Sequence, residues 1–327
     1  MGMQNFSSEF RTPEQYIIDI TYKIWEERGV GRIRDWYAPI CPVRRPHGVT
    51  NTAEEVVQNT LRVLALPTLN REVLAEDVII GDKSSGFYSS HRVRSVNTRL
   101  GNDGLTTQSF MRLGIADCLC RDNQIVEEWV LGDEAGVLRR LGLDPVAHGR
   151  ELGTKKLEAY TIGNEAMRQR WADANGLTIV GDNTIANGII DTYSAIWNDN
   201  NLNVMAERYD RAVRLEGPDG FLGYGRSRTA NLFLDIQASI PNGRFEPHHL
   251  IVRQQQERPV RVALRWSYCG THSGHGSYGE PTHSPVAILG ISHFELLDGR
   301  IAREWMVVDE TAIYAQISAH EIVKRTK

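Results

Sequence analysis

Apolar residues recur at helical spacing in two stretches, EQYIIDITYKIWEE (14–27) and NGIIDTYSAIWND (187–199). A second helical pattern follows each, TAEEVVQNTLRVLA (52–65) and TANLFLDIQASI (229–240), and each is ended by a proline, Pro67 or Pro241, that cannot continue the helix. The pattern then changes to strand period in RPVRVALRWSYCG (258–270), VAILGISHFELL (286–297) and RIAREWMVV (300–308). Helices followed by a meander of long strands predict α+β domains, an antiparallel sheet wrapped against the helices and enclosing a pocket.

The pattern occurs twice. IVEEWVLGDE (125–134) and IAREWMVVDE (301–310) share Ile, Glu, Trp, Asp and Glu in the same places, with Trp129 and Trp305 176 residues apart. Each strand is preceded by a turn, Asp122-Asn123 or Asp298-Gly299, of the kind that closes hairpins. RLGI (112–115) matches ILGI (288–291), Trp25 matches Trp197, and Tyr37 matches Tyr209. A chain of 327 residues is long enough for two domains. We therefore expect one domain at 11–142, a charged connector at 143–180 broken by Pro145 with one or two helices packing on both domains, and a second domain at 181–320.

Composition narrows the function. The chain is 41% hydrophobic and 24% charged, with no apolar run near the roughly 20 residues that span a bilayer. A net charge of −4 speaks against a nucleic-acid partner. MGMQNFSSEFRTPEQ lacks a basic segment followed by an apolar run, and Cys41, Cys118, Cys120 and Cys269 are too scattered for a disulfide framework, so a cytoplasmic protein with reduced thiols is expected. The histidines of THSGHGSYGEPTHSP match no metal spacing, and no P-loop, dinucleotide fingerprint or nucleophile elbow is present, so neither metal nor cofactor is expected.

The second half resembles a known family. Gly270, Thr271, His272 and Gly274, then Pro281-Thr282, then Asp298, Gly299, Ile301, Trp305, Asp309 and Gln316 follow the pattern of SnoaL-like polyketide cyclases, a branch of the nuclear-transport-factor-2-like superfamily. The first half is more divergent, keeping Asp122, Ile125, Trp129, Asp133 and Leu141-Gly142. The resemblance implies two cone-shaped α+β domains, each with helices packed on a curved antiparallel sheet, and a small hydrophobic molecule held in the cone. It also implies either an intrachain pseudo-dimer or a homodimer. In the cyclases an acid-base pair promotes an aldol condensation without a cofactor. Its two places fall here on Met306 and Ser292, and on Val130 and Ala116 in the first half, so neither half has the pair.

Other groups stand in reach of such a pocket. On a regular strand Ala302, Glu304, Met306 and Val308 share a face, which the family register turns inward. Glu304, its counterpart Glu128, and Glu216 are then candidate acids, unless they are surface groups paired with arginine. His272 is a candidate for proton transfer. Tyr193 and Tyr209 are candidates to donate to a carbonyl, the commoner alternative being amphipathic core tyrosines, with Trp266, Ser292 and Met306 as further ligand-binding positions. Asp309 and Asp133 fit better as helix caps. Two readings stay open: a cofactor-free cyclase, isomerase or dehydratase acting on an apolar carbonyl compound, or a non-catalytic small-molecule-binding or scaffold protein with degenerate sites.

Overall fold

A computed structural model describes residues 3–66, 70–100, 106–172 and 176–326. Pro67 lies outside the described residues. The chain divides into two compact units, Met1–Gly132 and Asp133–Lys327.

The first unit opens with α1 (Pro13–Trp25), whose Thr12 side chain accepts from the Gln15 amide and whose Tyr16, Ile17, Ile20 and Ile24 are buried. Next come α2 (Ile33–Trp36), β1 (Ile40–Arg45), β2 (Gly48–Thr52) and α3 (Ala53–Leu64), the last started by a reciprocal capping box between Thr52 and Glu55. Four long strands complete it: β3 (Asn70–Asp82), β4 (Phe87–Leu100), β5 (Thr107–Arg121) and β6 (Gln124–Gly132).

The second unit begins with four helices, α4 (Glu134–Arg140), α5 (Pro145–Lys155), α6 (Leu157–Tyr160) and α7 (Asn164–Trp171), and a short strand β7 (Thr178–Val180). Then the first unit's order returns: α8 (Asn183–Trp197), α9 (Met205–Arg208), β8 (Tyr209–Glu216), β9 (Leu222–Tyr224), α10 (Gly225–Ser239), β10 (Arg244–Arg253), β11 (Val260–Thr271), β12 (Pro285–Leu297) and β13 (Arg300–Val308), closed by α11 (Glu310–Thr326). The stretch 143–180 thus holds three helices and a strand rather than one or two helices. Gly149 and Gly153 let α5 lie close on α11, since a Cβ at Gly149 would come within 2.4 Å of Tyr314 Cβ.

Both sheets have the same topology. The first runs β2-β1-β6-β5-β4-β3; the second runs β9-β8-β13-β12-β11-β10, with β7 added beyond β10. The long strands pair antiparallel, as expected, but β1 runs parallel to β6 and β8 parallel to β13. The hairpin turns have positive φ at both central residues, Asp122-Asn123 and Asp298-Gly299, the geometry that matches the twist of the flanking strands. Each unit buries its own core between sheet and helices, the second centred on Tyr193, Trp197, Phe233 and Trp266, the first on Tyr16, Trp36, Val78 and Phe87. The fold class is α+β, two sheets each packed against helices. Among the described residues no helix is long and apolar enough to cross a membrane.

Candidate functional site

The route to Glu304 begins with a strand irregularity. Opposite β12, Ile301 pairs with Leu296 and Arg303 with Glu295, so Ala302 is an extra residue. The bulge puts Ile301 rather than Ala302 on the core face. Beyond it the alternation expected from the sequence resumes, and Glu304, Met306 and Val308 point inward with no exposure or almost none.

Glu304 sits beside Phe294 of β12 and Leu215 of β8, and both of its oxygens are held. The Tyr209 hydroxyl donates to Oε2 at 2.9 Å, and the Tyr193 hydroxyl donates to Oε1. Ser292 Oγ lies 2.9 Å from the Tyr193 hydroxyl and accepts from Trp266 Nε1 at 3.1 Å. Tyrosine has one proton to give. If Tyr193 gives it to Glu304, the Ser292 hydroxyl must donate to Tyr193, and every proton in the chain has an acceptor when Glu304 is ionised. Burial works the other way. It raises the Glu304 carboxyl to about 7, with the two tyrosine hydrogen bonds pulling it down. Burial and the facing carboxylate push both tyrosine hydroxyls well above their ordinary range, so they remain donors.

Aromatic rings close the space around this group. Tyr193 stands edge-on to Phe294 (5.3 Å between centroids), Phe245 (5.6 Å), Phe233 (6.1 Å) and Trp266 (6.1 Å). The glycine of ILGI has a role here: a Cβ on Gly290 would come within 2.2 Å of the Trp266 indole.

A twin of the acid occupies the first unit. Glu128 of β6 is buried after the same kind of bulge, at Val126, and accepts from the Tyr37 hydroxyl at 3.2 Å. Burial raises its pKa, with the nearby Arg45 charge and the Tyr37 hydrogen bond opposing. Two partners differ. Cys118 faces Glu128 where Phe294 faces Glu304. Thr21, four residues before the closing tryptophan of α1, stands where Tyr193 stands in α8, and its hydroxyl donates to the Ile17 carbonyl. Sequence reasoning paired Glu128 with Glu304 and Tyr37 with Tyr209, but gave Cys118 no part; its place two residues after Ala116 on one face was the available signal.

The structure brings together Glu304, Tyr193, Tyr209, Ser292 and Trp266, with Met306 opposite Ser292. It does not bring His272 or Glu216 to them. Glu216 is opposite Trp305 on the other face of the sheet and pairs with Arg214 at 2.6 Å. His272 follows the end of β11, while Glu304 is level with Val262 through Phe294, so nine residues or roughly 30 Å of strand separate them. Its ring lies 3.1 Å from Thr282 Oγ1, and burial lowers its pKa. Asp309 and Asp133 are caps: Asp309 accepts from the Thr311 amide, and Asp133 from the amides of Gly136, Asp219 and Gly220. Among the described residues no group of three or more His, Cys, Asp or Glu is placed to hold a metal.

Residues 188–317 match the family model of the SnoaL-like polyketide cyclases, and over that segment the resemblance noted from Gly270 to Gln316 holds. Among solved structures the chain is similar to IdmH of Streptomyces antibioticus, at 22% identity and a TM-score of 0.35, covering 41% of this chain and 97% of that one. TsrD of Streptomyces laurentii is similar at 16% identity and a TM-score of 0.37, covering 42% and 98%. AclR of Streptomyces galilaeus is similar at 17% identity and a TM-score of 0.35, covering 41% and 95%. No curated protein matches the chain.

Proposed function

We propose that this protein binds a small, apolar, carbonyl-bearing molecule and that a buried glutamate with its tyrosine moves a proton on it without a cofactor, as a cyclase, isomerase or dehydratase would. The pairs are Glu304 with Tyr209 and Glu128 with Tyr37. The observation behind this reading is their recurrence at one register in two units whose other interior residues differ. The chemistry follows from the two groups. The carboxylate takes a proton from the carbon beside the carbonyl, the C–H electron pair forms the enolate's C=C bond while the carbonyl π pair moves onto oxygen, and the tyrosine hydroxyl donates a hydrogen bond to that oxygen. Return of the proton to another carbon isomerises; attack of the enolate on a second carbonyl cyclises. A carboxyl near 7 both takes and returns a proton at neutral pH. We also place the protein in the cytoplasm, consistent with four unpaired thiols.

Exchange of the α-protons of 2-tetralone in heavy water, followed by NMR, tests this. Protein-dependent exchange should rise with pH through about 7 if Glu304 is the base. It should fall at least tenfold in Glu304→Gln or Glu128→Gln, and the variant that loses it names the active unit. Unchanged exchange in the double variant would remove both acids from the mechanism.

A second reading is favoured by the aromatic packing around Glu304, which leaves that acid no exposure. In it the second unit is a non-catalytic, structural copy, and the Glu304 network fixes its core. It predicts no exchange attributable to Glu304 and a loss of cooperativity in unfolding when the network is cut.

A further inference from the structure

The two sheets differ in what covers one end of the outer face, the face turned away from α1 and α3 in the first unit and from α8 and α10 in the second. Counting outward from the two buried acids aligns the strands residue by residue. Met111 on β5 stands where Ala287 stands on β12, Val96 on β4 where Cys269 stands on β11, and Leu74 on β3 where Glu246 stands on β10. The bulge in the edge strand coincides too, at Glu76 in the first unit and His248 in the second. In the second unit a single segment finishes this end. Its helix α7 packs on β11 and β12, with Met167 and Trp171, four residues apart, 1% and 0% exposed, and with Arg168 paired to Glu246. The chain then returns as β7, which adds parallel to β10 along His249, Leu250 and Ile251. Ala287 on that face is 2% exposed.

In the first unit the matching places are open to solvent. Leu74 is 46% exposed and Met111 43%, with Val96 partly exposed between them. The edge strand β3 is last in its sheet, and among the described residues no strand pairs with its far edge at Asp77, Val78 and Ile79, the positions that match His249, Leu250 and Ile251. An apolar strip beside an open strand edge offers a partner side-chain contacts and backbone pairing at once.

We propose that this end of the first unit docks a helix–strand segment of a partner protein: an amphipathic helix whose large apolar side chains, four residues apart, lie on Leu74, Val96 and Met111, followed by a short extended stretch that adds parallel to β3. The second unit supplies the pattern for this occupant, since residues 164–180 close the same rows of the same sheet there. Strand addition to an open edge and a helix laid on an apolar strip are both established modes of recognition. The register also sets a preference. Leu74 stands in the place of the glutamate that holds Arg168, so the partner helix carries an apolar residue where α7 carries that arginine. Docking on the outer face is independent of the proton-transfer reading, which concerns the helix-facing side.

Fluorescence anisotropy with two labelled synthetic peptides tests the surface on the full chain. Both span residues 161–181, one with the native sequence and one carrying Arg168→Leu. The wild type should bind the Arg168→Leu peptide saturably and about tenfold tighter than the native one. Leu74→Glu, which places in the first unit the charge found in the second, should reverse that order. Met111→Glu should weaken both peptides, and cutting the Arg168→Leu peptide back to 161–174, which removes the strand, should weaken it by about tenfold or more. Leu74 and Met111 are both exposed, so neither substitution disturbs the core. No saturable binding of the Arg168→Leu peptide, an order of affinities unmoved by Leu74→Glu, undiminished binding to Met111→Glu, or equal binding of the shortened peptide would each overturn the proposal. A wild-type dimer in sedimentation that Met111→Glu breaks, with no binding of either peptide, would assign the face to a second copy of this chain instead.

Discussion

Replacing Glu304 by glutamine should remove the largest part that this residue plays in how the second unit's stability falls with rising pH. Glu304 titrates near 4.5 when unfolded and about 7 when folded. Below pH 4.5 both states hold the proton and the group contributes fully. Between 4.5 and 7 the unfolded chain ionises first, so the folded state loses ground. Above 7 the loss is complete. At 1.36 kcal/mol per unit this amounts to about 3 kcal/mol lost as pH rises through that window. The group is fully buried, so solvent screening does not reduce it. Glutamine has nearly the same shape but cannot ionise. Urea denaturation at pH 4.5 and at pH 8, on wild type and Glu304→Gln, reads the difference. At the lower pH the two should agree within about 1 kcal/mol, the size of one altered hydrogen bond. At pH 8 the variant should have gained about 3 kcal/mol on the wild type. Glu310, raised to about 8 by burial and neighbouring acids, adds its own slope to both proteins and cancels in the comparison. Curves that stay parallel from pH 4.5 to 8 would refute the argument, since Glu304 would then be titrating identically in both states.

Three further outcomes follow from the same geometry. Tyr209→Phe removes a hydrogen bond that pulls the Glu304 pKa down, so its midpoint, read by carbon NMR of labelled glutamate, should move upward, and the fold should lose about 1–3 kcal/mol. Gly290→Ala forces a methyl into the Trp266 indole and should cost about 1–3 kcal/mol in calorimetric unfolding, with a shift in tryptophan emission; a neutral result would mean the indole has room to move. Asp133→Ala frees the amides of Gly136, Asp219 and Gly220 together and should lower stability by about 1–3 kcal/mol, more than a single lost cap on an exposed helix.

Much of the architecture was legible because local chemistry and the global pattern agree. The turn pairs Asp122-Asn123 and Asp298-Gly299 announce hairpins, and the structure gives them positive φ. The inward facing of Glu304 was legible only as a consequence of regular alternation. Its bulge has no residue signature, since Ala302 and Arg303 suit a plain strand, yet it shifts Ile301 into the core. Had it lain one residue beyond Glu304, Ile301 and Met306 would still face inward but the acid would not. The grouping of His272 and Glu216 with Glu304 needed information that periodicity does not contain. His272 is near Glu304 only in the sense that both belong to strands of one sheet, and the length of β11 separates them. The connector was expected to be broken at Pro145, whereas that proline opens α5, and Gly149 and Gly153 form the contact face of α5 on α11.

The contrast between the two interiors bears on why a glutamate occupies this register at all. A carboxyl raised to about 7 subtracts about 3 kcal/mol from the folded state at pH 8, and burial acts on Glu128 in the same direction. An apolar residue of similar volume, well packed among Phe294, Leu215 and Tyr193, would often be neutral or stabilising there. Stability alone therefore gives no reason for the acid in either unit. In the second unit specificity could supply one, because the carboxylate, two tyrosines, Ser292 and Trp266 form a closed set of donors and acceptors that admits one arrangement of the core. That explanation weakens in the first unit, where Thr21 replaces Tyr193, the donor to one oxygen is a thiol 3.8 Å away, and the neighbouring Ala116 and Val130 reach solvent. For Glu128, beside partly exposed neighbours, packing specificity does not offset the cost that burial imposes on the acid.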